Sequence, residues 1–292
     1  MTRTEILMGT VVTIQVVKGA ADDAIDRAFD WFRRVESCCS RFDPSSELMQ
    51  LTAKIGEAVT VSPMLFEAVR FAAAVAAETG GAFDPTVGLE METRGFNREY
   101  STGRVVHTSL EPAAVSYRDL ALDPDRRTIT LLQPMVLDLG AVAKGLAVDT
   151  AARELEPFED FAIDAGGDLY LGGRNPDGEP WSVGIRHPRL TDLLIETLSV
   201  SDRAVCTSGD YERQGRDGSR GHILDPRTGK PADDVTSVTV MAPTAMLADA
   251  VATAAFVLGP EEGMELFDRL GVDGLIVSPA METYRTRGLR HG

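Results

Sequence analysis

Apolar positions along the chain follow two spacings, and the segments they mark alternate between strand and helix. Residues 6–17 are rich in β-branched side chains and predict a strand, whereas apolar residues spaced three and four apart over 20–39 predict an amphipathic helix. Residues 63–79 are apolar on nearly every side and stop at two glycines, which predicts a buried helix. Residues 161–173 predict a strand that is interrupted by a glycine pair.

The most informative stretch is residues 134–149, PMVLDLGAVAKGLAVD. Its apolar run at 135–137 predicts a strand, Gly140 a turn, and the small residues that follow a helix. The free backbone N–H groups at such a helix start favour an anion, and a main-chain oxygen there can face a cation. Asp138 and Lys144 bracket the turn with opposite charges. Taken alone, an ordinary strand-to-helix junction with a solvated lysine is the simpler interpretation.

A second candidate lies on the apolar helix predicted over 245–258, where Asp249 is the only charged residue. Thr253 follows four positions later and therefore shares its helix face. Burying a lone carboxylate is costly unless a positive group meets it. A hard cation held by carboxylate, hydroxyl and main-chain oxygens would satisfy this requirement. The alternative is that Asp249 pairs with a lysine or caps another segment.

Three loops carry further candidates. Arg41 and Phe42 stand among small polar residues, so the ring of Phe42 is either an anchor for its loop or a stacking surface for a ligand. The segment AFDPTVG, residues 82–88, predicts a rigid loop that backbone can approach closely, or a plain connection between elements. His222 precedes an apolar pair and an Asp-Pro turn; a structural role is more common for a lone histidine than acid–base catalysis.

Composition narrows the class of protein. The chain has 292 residues, 43% hydrophobic and 25% charged, which indicates a globular protein with one large core or two modest ones. A net charge of −16 argues against nucleic acid or an anionic membrane surface as partner. Three cysteines, two of them adjacent, do not resemble a disulfide framework. The sequence contains neither a signal-peptide pattern nor a run long enough to span a membrane, so a cytoplasmic location is expected.

The motifs together resemble a known family. LDLGAVAKG, GGAFDPTVG, SGDYER followed by GHILDPRTGKP, and LADAVATAAF occur with an early MGT and with SRFDPSSEL. Their order and wording resemble the ApbE family, the FAD:protein FMN transferases, from about residue 8 to residue 258. Each motif is weak alone, but the set is highly specific. The resemblance implies one ApbE-like domain over residues 1–292.

The resemblance also implies a fold and an activity. The expected fold is α+β, with two intertwined α/β lobes of a T-fold-related type and FAD in the cleft between them. Family members use magnesium to cleave the FAD pyrophosphate, transfer FMN to a threonine or serine hydroxyl of an acceptor protein, and release AMP.

By similarity, Mg²⁺ would be held by the Ala141 carbonyl, Asp249 and Thr253, and His222 would act in the transfer together with Asp249. The expected FAD contacts are Met8, Phe42, Ala82, Phe83, Asp84, Asp138, Lys144 and Ile223.

The sequence departs from the family pattern after residue 88, where GLEMETRGFNREYS lacks the usual Pro-Leu and Trp-Gly-Phe wording. This departure leaves open a different rim at the place where the acceptor docks. Many relatives are exported lipoproteins, whereas this chain is expected to modify an intracellular acceptor. Two alternatives use the same site: a magnesium-dependent FAD pyrophosphatase with water as acceptor, and a carrier that binds FAD without turnover. Loss of Asp249, Thr253 or His222 would have favoured the carrier, and all three are present.

Overall fold

A large antiparallel sheet organises the chain in the computed structural model, which describes residues 1–99, 103–111, 113–190, 192–211 and 223–291. Eight strands form this sheet in the order β1-β2-β6-β7-β10-β13-β14-β15. Its strands are Thr2–Leu7 (β1), Thr10–Val16 (β2), Phe161–Ala165 (β6), Leu169–Gly172 (β7), Arg203–Gly209 (β10), Ser237–Ala242 (β13), Asp273–Val277 (β14) and Thr283–Arg285 (β15).

Shorter sheets surround it. Their strands are Val59–Thr60 (β3), Leu120–Asp123 (β4), Thr128–Leu131 (β5), Trp181–Arg186 (β8), Leu194–Val200 (β9), Leu224–Asp225 (β11) and Lys230–Pro231 (β12). They pair as a three-stranded sheet β3-β5-β4 and as the two hairpins β8-β9 and β11-β12.

The helices in the described residues begin and end as follows: Asp22–Cys39 (α1), Glu47–Thr52 (α2), Pro63–Glu78 (α3), Gly88–Thr93 (α4), Gly140–Leu155 (α5) and Ala245–Leu270 (α6). Single 3₁₀ turns cover Tyr117–Asp119, Glu156–Phe158 and Gly288–His291. The structure thus confirms the predicted α+β class. No helix in the described parts of the chain is long and apolar enough to cross a membrane.

The two faces of the large sheet bury different partners, because successive residues of a strand point to opposite sides. On β10, Ala204 and Cys206 join the main core with α5 and α6, whereas Val205 joins a smaller cluster with the β8-β9 hairpin. The main core also contains Leu65 of α3 and Ile129 of β5. One continuous core therefore connects the large sheet with the three-stranded sheet.

Two segments predicted as single strands are hairpins. Residues 6–17 were predicted as one strand, but the chain reverses at Met8 and Gly9, whose φ values of 51° and 73° favour a two-residue hairpin turn. Residues 161–173 also reverse, at Gly166 and Gly167, where φ is 66° and 96°. A Cβ on Gly166 would collide with the side chain of Thr10, so that position requires glycine.

Among the other predicted elements, two helices are confirmed, one helix is longer than predicted, and one strand was wrong. The helices predicted over 20–39 and 63–79 are confirmed as α1 and α3. The helix predicted over 245–258 continues as α6 to Leu270 across a kink at Gly259, which has a φ of 83°. The strand predicted at 135–137 was wrong: the segment forms only an isolated bridge between Val136 and Val87.

Candidate active site

The loop after α3 is tied to the segment that precedes α5. The Asp138 N–H donates to the Pro85 carbonyl at 2.7 Å, and the Gly88 N–H donates to the Val136 carbonyl at 3.0 Å. A Cβ on Gly88 would stand 2.5 Å from the Val136 carbonyl oxygen, so this close approach needs glycine. Two of the motifs, AFDPTVG and LDLGAVAKG, therefore lie side by side. This pairing explains why residues 135–137 do not join a sheet.

Asp84 fixes the conformation of this loop. It is 7% exposed. Its Oδ1 accepts hydrogen bonds from the Thr86 N–H and hydroxyl at 2.9 and 2.8 Å, and its Oδ2 accepts one from the Tyr117 N–H at 2.9 Å. Ala82 and Phe83 are also buried. The three side chains predicted to contact FAD thus have internal packing roles, and their contact with FAD stays a prediction.

Asp138 receives hydrogen bonds from two elements. Its Oδ1 accepts from the Gly140 N–H at 2.8 Å, and its Oδ2 accepts from Arg41 Nε at 2.7 Å. The Arg41 guanidinium carbon also lies 4.2 Å from the centroid of the Phe42 ring. Two predicted FAD contacts, Phe42 and Asp138, are therefore brought together by Arg41. The sequence placed Arg41 beside Phe42 among small polar residues but did not predict this link.

Lys144 forms an ion pair with Asp168 across the start of α5, with 2.8 Å between Nζ and Oδ2. The Asp168 side chain is 1% exposed and the Lys144 side chain 21%, so the solvated-lysine interpretation was wrong. Asp168 follows the Gly166-Gly167 turn, which positions it at the end of β6 and the start of β7. In the sequence, Asp168 is notable only as a carboxylate beside two glycines, and its distance along the chain from Lys144 does not predict their contact.

Asp249 and Thr253 both lie on α6, as predicted, close to its start. Thr244 caps this helix by accepting a hydrogen bond from the Leu247 N–H at 3.3 Å. Asp249 is 7% exposed although it is ionisable. The Thr253 and Ser208 hydroxyls lie 3.3 Å apart, so Ser208, which begins the SGDYER motif but was assigned no role from the sequence, lies beside a predicted metal ligand.

The helices α5 and α6 touch at their backbones. A Cβ on Gly145 would stand 2.5 Å from the Met246 Cα, so glycine is required where the helices cross. Asp149 of α5 accepts hydrogen bonds from the Ala245 and Met246 N–H groups at 2.7 and 3.0 Å. It thereby caps the first turn of α6 from outside. This contact connects the helix that carries Lys144 to the helix that carries Asp249.

Burial raises the pKa of Asp149 from 3.8 to about 6, although the two N–H donors of α6 oppose the shift. Since the folded state holds this proton more tightly than the unfolded state, stability falls as pH rises from about 4 to about 6. Relative to an Asp149→Asn variant, the wild type should therefore gain roughly 1–3 kcal/mol of unfolding free energy as pH falls through that window. Urea unfolding of both proteins at several pH values measures the difference. A difference that does not vary with pH would contradict the assignment.

Charged groups converge beside one buried thiol. Burial raises the pKa of Cys206 well above its usual value; the charges of Asp168 and Asp249 raise it further and that of Lys144 lowers it. Cys206 lies on β10 beneath α6, and its Sγ is 3.5 Å from the Ala245 carbonyl oxygen. Lys144 is paired with Asp168, and Asp249 lies on α6, which contacts both α5 and the Cys206 thiol of β10.

The oxygens available here fit a hard cation. Asp249 offers a carboxylate and Thr253 a hydroxyl one turn later, both on α6. Ala141 has φ −95° and ψ 18°, values that depart from the helix at the start of α5. Such irregular backbone can direct a carbonyl away from the helix axis. In the described ranges no group of three or more His, Cys, Asp or Glu side chains is placed to hold a metal ion, so a metal here would need hydroxyl and main-chain ligands as well.

Three further residues were predicted to serve the site. Met8 lies in the β1-β2 turn and packs against the main core. Ile223 is buried in the main core, where its carbonyl accepts a hydrogen bond from the Ala232 N–H at 3.1 Å. His222 lies outside the described residues. The roles of Met8, Ile223 and His222 stay predictions.

Known proteins resemble the chain over nearly its whole length. A curated FAD:protein FMN transferase of Treponema pallidum is 34% identical, over 98% of this chain and 87% of the relative. A protein of the same name from Escherichia coli K12 is 29% identical, over 90% of this chain and 76% of the relative.

Solved structures agree with the sequence relatives. The crystal structure of the ApbE protein of Thermotoga maritima has a TM-score of 0.87 at 30% identity, and the flavin transferase ApbE of Vibrio cholerae a TM-score of 0.85 at 27%. Both alignments cover 99% of this chain and 98% of the other. The family model described as the ApbE family matches residues 8–276. The chain therefore belongs to the ApbE family.

Proposed function

We propose that the chain is a magnesium-dependent FAD:protein FMN transferase. It cleaves the pyrophosphate of FAD, attaches FMN to a threonine or serine hydroxyl of an acceptor protein, and releases AMP. One observation carries the proposal. Two helices that contact each other bring a cationic side chain, Lys144 of α5, and two oxygen ligands for a metal, Asp249 and Thr253 of α6, to the same part of the fold. The relatives named FAD:protein FMN transferase support the same reaction class.

Phosphoryl transfer depends mainly on positioning and on neutralising charge, which this group of residues can do. Asp249, Thr253 and the Ala141 carbonyl would hold Mg²⁺, which when bound neutralises charge on the pyrophosphate oxygens. Lys144, oriented by its ion pair with Asp168, would bind a phosphate oxygen at the start of α5. These local cations allow a protein with a net charge of −16 to accept an anionic substrate.

The acceptor hydroxyl oxygen bonds to the phosphorus of the FMN half, and the bond from that phosphorus to the bridging oxygen breaks. AMP leaves with the bridging oxygen. We assign His222 as the base that accepts the hydroxyl proton. The support for this role is the family motif in which His222 lies. Phe42 would stack on the flavin or adenine plane, while Met8, Ile223 and the loop of Ala82, Phe83 and Asp84 would line the FAD site.

We further propose that residues 1–292 act as one transferase domain, because one hydrophobic core runs through both groups of elements that carry the site. Residues on α5, α6 and the loop before α4 all contribute to it. A cut between the large sheet and the three-stranded sheet would expose that core.

The test is incubation of the purified protein with FAD and MgCl₂, with and without a flavin-acceptor domain. AMP is followed by chromatography and covalent flavin by fluorescence in a denaturing gel. Fluorescent acceptor and AMP in equal amounts are expected, and both should disappear when the target hydroxyl residue of the acceptor is replaced by alanine. AMP and free FMN without acceptor would instead indicate a pyrophosphatase. Bound, uncleaved FAD with a validated acceptor would indicate a carrier.

A further inference from the structure

We infer that Arg41 is a positioning residue for the flavin nucleotide: it holds the ring of Phe42 and the carboxylate of Asp138 in one fixed arrangement. The inference rests on the proposed function, because FAD is the ligand assigned to those two side chains. Arg41 itself need not touch the substrate. Its effect would reach FAD through the two groups that it orients.

The Arg41 guanidinium contacts three groups that lie in different directions. Nε donates to Asp138 Oδ2 at 2.7 Å, and Nη2 donates to the Phe96 carbonyl at 2.5 Å. The guanidinium carbon lies 4.2 Å from the Phe42 ring centroid, within cation–π range. Because the guanidinium is a rigid planar fork, fixing two of its nitrogens also fixes the plane that covers the ring. Arg41 therefore links the position of the Phe42 ring to that of the Asp138 carboxylate.

The backbone of Phe42 is held as well. Its carbonyl accepts a hydrogen bond from Arg104 Nη2 at 3.0 Å. With the guanidinium on one face of the ring, a ligand plane can stack only on the opposite face. A ring that is held before the ligand arrives loses little conformational entropy on binding, which favours affinity.

The exposed fractions of the three side chains distinguish this arrangement from an ordinary structural ion pair. The Arg41 side chain is 3% exposed, whereas that of Asp138 is 19% exposed and Phe42 is half-buried. The cation is thus internal, and the two groups it orients reach the surface. Arg41 Nη1 is buried and has no hydrogen-bond partner among the described residues, a cost that a purely structural side chain would avoid. Buried ion pairs add little net stability, so stability alone does not account for an arginine here.

A double-mutant cycle on FAD binding tests the inference. The FAD dissociation constant is measured by flavin fluorescence for the wild type, Arg41→Met, Phe42→Leu and the double variant. Each single change is expected to weaken binding about tenfold, and the double variant only about tenfold to twentyfold, because both act through the same ring. Arg41→Lys should behave like Arg41→Met, since an ammonium cannot span the fork. Arg285→Met, which removes an ion pair with Glu196 between β15 and the β8-β9 hairpin, is the control and should bind FAD normally.

The FAD dissociation constants of the variants show whether Arg41 and Phe42 act through the same ring. Independent losses that multiply to about a hundredfold would overturn the inference, as would Arg41 variants with unchanged FAD affinity. If Arg41→Met does not fold, Arg41→Lys takes its place in the cycle. A wild type that binds FAD but modifies no acceptor would overturn the transferase proposal and leave this inference standing. A wild type that does not bind FAD would overturn both.

Discussion

Replacing Asp249 by asparagine is expected to reduce magnesium-dependent release of AMP from FAD by about 10³-fold or more. The substitution keeps the shape of the side chain and removes its charge. Asp249 is 7% exposed on α6, so water can replace the lost carboxylate only poorly as a cation ligand. The measurement is the initial rate of AMP formation at saturating FAD over a range of MgCl₂ concentrations.

Glu265→Gln provides the matched control, because it removes one negative charge from an exposed position on the same helix. It should leave the rate and its magnesium dependence unchanged. The unfolding temperature of Asp249→Asn should stay within roughly 5 °C of the wild type, which would separate loss of chemistry from loss of fold. An Asp249→Asn enzyme with the wild-type rate and magnesium requirement would eliminate Asp249 as a metal ligand.

Replacing Lys144 by methionine should damage both stability and substrate binding. Asp168 is 1% exposed and lies 2.8 Å from the Lys144 ammonium, so removing the lysine leaves a carboxylate buried without this partner. Breaking such a pair costs about 3 kcal/mol of unfolding free energy. FAD should also bind at least about tenfold more weakly, because the substrate phosphate loses a cation.

A second substitution separates the two effects. In Lys144→Met/Asp168→Asn the buried charge is gone, so the unfolding free energy should return to within about 1 kcal/mol of the wild type. FAD affinity should remain low. Urea unfolding and FAD titration of the single and double variants measure the two quantities. Recovery of FAD affinity in the double variant would show that Lys144 serves the fold and not the substrate.

Local signals explain which elements could be predicted. Ser62 caps α3 by accepting a hydrogen bond from the Leu65 N–H, Pro63 begins the helix, and glycines follow its end. These residues act on their own neighbours, so the sequence contains all the information needed. The Met8 turn was missed because a methionine at positive φ is uncommon, and the pairing across the reversal overrides its preference.

In the candidate site, too, local contacts could be predicted from the sequence and long-range contacts could not. Asp249 and Thr253 were found because they share one helix and one turn, so their spacing is local. Arg41 and Asp138 are 97 residues apart, and their contact depends on how the loop before α2 meets the start of α5. Lys144 was interpreted as solvated because its partner, Asp168, lies in the turn of the β6-β7 hairpin, outside its own helix. Contacts of this kind follow from strand order, which the apolar spacing does not encode.

The crossing of α5 and α6 has a consequence for how substrates can be selected. Gly145 allows the two backbones to touch, and Asp149 accepts hydrogen bonds from the first turn of α6, so the helices that carry Lys144 and Asp249 are held against each other. Under the proposed function, this helix crossing would set the distance between the cation that meets the substrate phosphate and the ligands of the metal, so part of the discrimination among nucleotides would be present before any ligand binds.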